Sequence, residues 1–250
     1  MKSDSWQPVL RQSALRTLCG ALAVLSLHGC ATNPDAHPRD PFEPFNRGVF
    51  AFNDDVDRVI FKPAATAYRD LTPAFVRAGV GNFFNNLEDA WSFVNNLLQL
   101  KGVAAADSFM RVSVNTVMGI GGVLDIASEA RIERHQEDFG QTLGWWGMPP
   151  GPYLVLPFFG PSTLRDAVAM PVDVKGSVVS NVNERSTRSA LRVLDLLDVR
   201  TGLLSVTTAL DEVALDKYSF ARDAFLQRRR NAVFDGEPPD ETLDGKPAKP

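Results

Sequence analysis

Cysteine and histidine are scarce in this chain: Cys19 and Cys30, and His28, His37 and His135, in 250 residues. A metal centre needs His, Cys, Asp and Glu clustered at helical or loop spacing, and these residues are scattered. A disulfide framework is excluded too, so the domain depends on its core. Catalytic signatures are also missing. There is no phosphate loop, and Gly119 to Asp125 (GIGGVLD) has neither the GxGxxG spacing nor a preceding strand. Asp138-Phe139-Gly140 stands without any other kinase element. Gly160-Pro161-Ser162-Thr163-Leu164 lacks the second glycine of a nucleophile elbow. Ser162 with His135 and Asp125 would make a hydrolytic triad, against the simpler role of Ser162 as a helix cap. Past residue 30 no apolar run is long enough to cross a bilayer, and no strand alternation, hairpin signal or repeat is visible. Positive charge is in deficit, with a formal net charge of −4. That argues against nucleic acid and against a polybasic grip on anionic lipid.

What is present begins with a leader. Lys2, Arg11 and Arg16 form a positive n-region, and Thr17 to Leu27 is an apolar run of eleven residues, right for a signal and short for a spanning helix. It ends in Leu27-His28-Gly29-Cys30, the pattern of a bacterial lipobox with His28 where a small residue is usual. Residues 1–29 therefore read as a lipoprotein signal, with Cys30 as the lipidated residue. Cleavage removes three basic residues and one acidic residue, taking the formal net charge to −6. Buried methylenes contribute about 0.8 kcal/mol each, so several acyl chains on one cysteine anchor a protein stably.

Residues 30–40 (CATNPDAHPRD) read as a tether, with His37 solvated. Residues 41–234 are the folded domain, and 235–250 (DGEPPDETLDGKPAKP), charged and proline-rich, are a disordered tail. Within the domain, helices are expected over Pro41–Tyr68, Pro73–Gln99, Ala104–Met118, Leu164–Met170, Arg188–Asp198 and Leu210–Val233. In the first, Phe42, Phe45, Val49, Phe52, Val56 and Val59 make one stripe. That stripe suits either a core-facing helix or one lying in a membrane interface. In the second, Gly79 and Gly81 invite a break, and Asn82, Asn85, Asn86, Asn95 and Asn96 suit caps and helix crossings, or the lining of a polar cavity. In the last, acidic residues precede Arg228, Arg229 and Arg230, the polarity a helix dipole favours, with the arginines on a solvated face; contact of the arginine run with lipid headgroups or an acidic partner is the alternative.

The chain is organised around Gly151 to Asp166, GPYLVLPFFGPSTLRD. Its prolines exclude a helix interior or a central strand. Its aromatic and aliphatic side chains suit an apolar wall or a membrane interface, and Trp145 and Trp146 with Tyr153 and Phe158 suit an interfacial aromatic cluster. Thr163 and Asp166 stand at capping-box spacing. Apolar surface beside Arg165 and Asp166 is what an amphipathic ligand needs.

Several short motifs occur in one order: Phe45-Asn46-Arg47, Phe52-Asn53, Asn82-Phe83, Asn86-Leu87, Leu97-Leu98-Gln99, Arg111 with Asn115, Gly119-Ile120-Gly121-Gly122 with Asp125, Leu143-Gly144, and the central stretch. Together they resemble the MlaA (VacJ) family of outer-membrane lipoproteins, from about Pro41 to Asp173 and more weakly to Phe234. The resemblance implies an all-α, ring-like single domain of amphipathic helices with a Pro/Gly-rich aromatic segment. It would lie in the inner leaflet of the outer membrane around an amphipathic channel, lipid-anchored on the periplasmic side. It implies no catalysis and no cofactor. The protein would take misplaced phospholipid from the outer leaflet and hand it to a soluble periplasmic carrier, MlaC, with trimeric porins as membrane partners. Carried over to this sequence, Cys30 is the lipidated residue. Phe45, Asn46, Arg47, Phe52 and Asn53 form the N-terminal segment that controls access to the channel. Tyr153, Pro157, Phe158, Gly160, Arg165 and Asp166 match the central motif. Arg165 and Asp166 are expected at the headgroup, and Tyr153 to Phe159 along the acyl chains. A serine hydrolase acting on lipid through Ser162, and a structural lipoprotein that docks a porin, are the alternatives.

Overall fold

The apolar stripe of the first helix is split between core and exterior, with Val49 packed against the core cluster and its phenylalanines outside. Helix α1 (Glu43–Val56) buries Asn46 completely while Phe42, Phe45 and Phe52 stand exposed. The computed structural model describes residues 37–239, so the leader, Cys30 and residues 240–250 lie outside the described residues. α1 continues without a break into a π-helical turn, Asp57–Phe61, and then α2 (Lys62–Leu71). Pro63 lies in the first turn of α2. It lacks an N–H, so the ladder is interrupted there and the wider turn takes up the register. Thr72 is extended ahead of Pro73, which ends α2 and begins α3 (Ala74–Leu98).

α3 runs straight through Gly79 and Gly81. A Cβ at Gly79 would lie 2.9 Å from Val123 Cγ1, so the glycine marks a close approach rather than a break. Leu100, at φ 59°, turns the chain into α4 (Gly102–Val117), which packs back along α3. The seam between them is polar. Asn86 donates to Thr116 Oγ1 at 3.0 Å and Asn96 to Ser108 Oγ at 3.3 Å, while Asn82 donates to the Val123 carbonyl. The asparagines thus serve crossings, one of the readings the sequence leaves open.

Two short helices follow, each capped by an aspartate: α5 (Ile126–Glu129) by Asp125 and α6 (Phe139–Trp145) by Asp138. Then comes a β-hairpin that the sequence reading does not anticipate. β1 (Tyr153–Leu156) pairs antiparallel with β2 (Gly160–Thr163), joined through Pro157, Phe158 and Phe159. Phe158 (φ 66°) and Gly160 (φ 79°) supply the left-handed residues of the turn. Pro161 is tolerated because it faces Val155, whose N–H points away from β2 to Asn46 Oδ1. That pair is not hydrogen-bonded, so the missing donor costs no ladder bond. Thr163 then caps α7 (Leu164–Gly176) by accepting from the Asp166 amide, and α7 carries Pro171 inside it to a length well beyond Met170.

After a 3₁₀ turn at Val178–Asn181 come α8 (Arg185–Gly202), α9 (Leu204–Val213) and α10 (Lys217–Val233). The single helix expected over Leu210–Val233 is two. Asp216 breaks it by accepting from the Tyr218 and Ser219 amides. Asp211 and Glu212 end one helix rather than start the next, so dipole matching does not explain their placement. The domain limits shift as well. Asp40, placed in the tether, is fully buried, and the Arg39 carbonyl accepts from Tyr153 N–H at 2.8 Å. Asp235, placed in the tail, receives Lys101 Nζ at 2.7 Å.

The interior is divided. A small apolar cluster joins Tyr153, Val155, Tyr218 and Leu226. The rest is largely polar: α3 alone buries Asn86, Asp89, Ser92, Asn95 and Asn96. Large apolar side chains stand outside, among them Leu71, Phe75, Leu100, Val103, Val117 and Ile120. Among the described residues no helix is long and apolar enough to cross a membrane.

Candidate functional site

Two asparagines about two helical turns apart on α1 hold the hairpin. Asn46 Nδ2 donates to the Tyr153 carbonyl at 3.0 Å and its Oδ1 accepts from Val155 N–H at 2.9 Å. Asn53 repeats the pattern at the turn, donating to the Leu156 carbonyl and accepting from Phe158 N–H, both at 2.9 Å. Each primary amide presents a donor and an acceptor side by side, as a neighbouring strand would, so α1 closes the open edge of β1. Phe52 seals the same junction with an edge-on contact to Phe158, 5.3 Å between centroids. Below it, Asp40 accepts from Asn46, from the Tyr218 hydroxyl and from Arg222, and Arg47 spans Glu43 and Asp216. The N-terminal segment and the central motif, matched separately in the sequence, are one assembly.

Three expected roles are corrected by the packing. Tyr153 does not face acyl chains; strand alternation turns it and Val155 into the core, against Tyr218 and Phe225. Of Tyr153 to Phe159, Pro157, Phe158 and Phe159 at the hairpin tip are the exposed members, while Phe45 is exposed on α1. Arg165 and Asp166 do not stand free for a headgroup. Arg229, from α10, grips Asp138 at 2.5 and 2.6 Å and Asp166 with two bonds of 2.9 Å, and Arg165 donates to Asp166 at 3.0 Å. Burial pushes the Asp138 carboxyl up, but Arg229 outweighs it and holds the group below its ordinary range. Gly140 makes room: a Cβ there would sit 2.5 Å from Arg229 Nη2 and 2.6 Å from Asp166 Oδ1. The network rivets α6, α7 and α10 together. It also places Arg229 among buried carboxylates and not on the solvated face expected for the arginine run. Trp145 and Trp146 belong elsewhere, against Lys101 and Phe139.

Arg229 and Asp138 form part of the wall of a cavity of about 560 Å³. α3 contributes Phe84, Leu87 and Trp91, α7 Asp173, α8 Asp195, and α10 Phe225, Arg228 and Arg229. Apolar and charged side chains thus share one cavity. Trp91 Nε1–H and Phe139 N–H both donate to Asp173 Oδ1, yet burial keeps that carboxyl above its usual range. Asp195 is raised to about 6, first by burial and then by Glu88 and Asp198. None of the residues singled out in the sequence as channel or gate residues lines this cavity. Its wall comes mostly from α3 and from the last third of the chain, which carries none of the motifs quoted for the resemblance. The amphipathic pattern of α3 was the available signal.

The hydrolytic constellation is not assembled. Ser162 is buried and bonds the Thr163 carbonyl, His135 pairs with Asp107, and Asp125 is taken up by Arg111, Asn115 and Ser128. Among the described residues no group of His, Cys, Asp and Glu could hold a metal ion.

The sequence pattern of the family described as MlaA lipoprotein matches residues 38–232. The intermembrane phospholipid transport system lipoproteins MlaA of Shigella flexneri and Escherichia coli are each 37% identical over 236 residues, covering 91% of this chain and 90% of theirs. An uncharacterised protein of Rickettsia prowazekii is 42% identical over 127 residues, and the match spans about half, 51%, of either chain. A solved structure concerned with the structural basis for maintenance of bacterial outer membrane lipid asymmetry aligns at a TM-score of 0.69 and 34% identity. It covers 78% of this chain and 98% of its own.

Proposed function

The chain belongs to the MlaA lipoprotein family, and from that premise we propose that it removes mislocalised phospholipid from the outer leaflet of the outer membrane. It would pass the lipid to a periplasmic carrier of the MlaC kind and so maintain lipid asymmetry. The observation that carries this reading is the inverted surface: large apolar side chains outside, polar ones inside, around a cavity with both characters. A protein so built is stable against acyl chains, and with no spanning helix among the described residues it suits one leaflet rather than a full crossing. In this reading Cys30 carries the lipid anchor on the periplasmic side. Phe45, Phe52, Pro157 and Phe158 touch acyl chains, while Asn46, Arg47 and Asn53 keep the entry segment seated on the hairpin. Tyr153, Arg165 and Asp166 support the wall from behind. A trimeric porin is the membrane partner the apolar exterior would accommodate.

The test is lipid analysis of the outer leaflet in cells lacking the protein, complemented with the wild type or with Cys30→Ala. Phospholipid should accumulate in the deletion and clear only with the wild type. An unchanged leaflet in the deletion overturns transport and leaves porin docking as the role.

A further inference from the structure

The charged residues on the cavity lining are unequally engaged. Glu88 accepts from Arg134, Glu137 from Lys101, and Asp138 is held by Arg229. Asp173 takes Trp91 Nε1–H and Phe139 N–H. Two charged lining residues remain, Asp195 on α8 and Arg228 on α10, and neither has a hydrogen bond or ion pair among the described residues. They are of opposite sign and do not pair with each other. A further acceptor on the same lining is also unused: Gln141 is 5% exposed and its Oε1 has no partner.

A half-buried carboxylate left unpaired next to other acids is costly, and the protein supplies no cation to relieve it. Burial first, and then Glu88 and Asp198, raise the affinity of Asp195 for a proton. An unpaired guanidinium at the edge of an apolar wall presents a fork of donors that matches phosphate geometry. One ligand would satisfy both: a group carrying a phosphate and a cation a few bonds apart, joined to apolar chains for Phe84, Leu87, Trp91 and Phe225.

We propose that the cavity is a headgroup site selective for an amine-bearing zwitterionic phospholipid, with Asp195 and Gln141 Oε1 receiving the ammonium and Arg228 the phosphate. This rests on the phospholipid-transport reading and adds to it a preference. An anionic lipid with a polyol headgroup offers the same phosphate but nothing for Asp195.

The experiment uses the full lipoprotein in a mild detergent, with short-chain phosphatidylethanolamine and phosphatidylglycerol of identical chains as probes. The readout is fluorescence of Trp91, which lines the cavity, assigned by comparison with Trp91→Phe. The ethanolamine lipid should bind about tenfold more tightly. Asp195→Asn should erase that difference without weakening the glycerol lipid, Asp195→Glu should keep it, and Arg228→Gln should weaken both. Free phosphoethanolamine should compete only at far higher concentration. Equal binding of the two lipids, unaltered by Asp195→Asn, overturns the preference while leaving transport intact. Binding of neither lipid, with the protein folded by circular dichroism, removes the cavity from the transport reading as well. Free phosphoethanolamine binding as tightly as the lipid overturns the lipid assignment.

Discussion

Asn46 shows how much a single side chain settles. It is fully buried, and its amide satisfies Asp40, the Tyr153 carbonyl and the Val155 N–H at once. Asn46→Ala leaves two backbone groups of a strand edge without a partner and takes from Asp40 one of its three donors, Tyr218 and Arg222 remaining, which should cost about 2–3 kcal/mol. Urea unfolding of the purified chain measures it, and a loss under about 0.5 kcal/mol would mean that water replaces the amide. Asp195 makes a pH prediction. Its folded value, about 6, lies above the ordinary 3.8. The native state therefore holds a proton that the unfolded chain releases, and stability falls as pH rises through that interval. Asp195→Asn removes that fall. Because the group is only half-buried, the gain at pH 8 relative to pH 4 should be about 1 kcal/mol. Denaturation midpoints at the two pH values test it, and an unchanged pH slope would assign the effect to Asp198, whose carboxyl burial also raises.

At the scale of elements, Arg229 joins three helices through two carboxylates. Arg229→Met leaves Asp138 without its cation and Asp166 with Arg165 alone, and should cost about 3–5 kcal/mol, read as a drop in melting temperature. Adding Asp138→Asn and Asp166→Asn should recover part of it. No residue-by-residue pattern announces such a junction, because its members are 63 and 91 positions apart. The helices themselves were legible: α3 and α4 follow their apolar periodicity, and the Thr163 cap follows from spacing. The hairpin was not. Its prolines argue against a strand, and only the pairing of Pro161 opposite Val155, with the donor of Val155 spent on Asn46, makes the strand acceptable. The break before α10 was hidden for a different reason. Asp216 falls inside the apolar periodicity of the expected helix, and only its bonds to the Tyr218 and Ser219 amides and to Arg47 mark it as a cap.

For the whole molecule, the sequence motifs identify the family, while the cavity wall comes largely from residues without a motif. The apolar stripe of α1 could face a core or a membrane, and it does both in part: Val49 packs on the core while Phe45 and Phe52 are exposed and Asn46 is buried. Interior hydrogen bonds and ion pairs do not depend on what bathes the outside. Taking the detergent away should therefore leave the helices standing and fail at a different point, the solubility of intact molecules. On dilution below the micelle threshold, far-ultraviolet dichroism should hold while light scattering climbs, as folded copies join through surfaces meant for lipid. Parallel loss of both signals would mean that the membrane holds the fold together. Retained dichroism would mean that the chain is a finished object in search of its solvent.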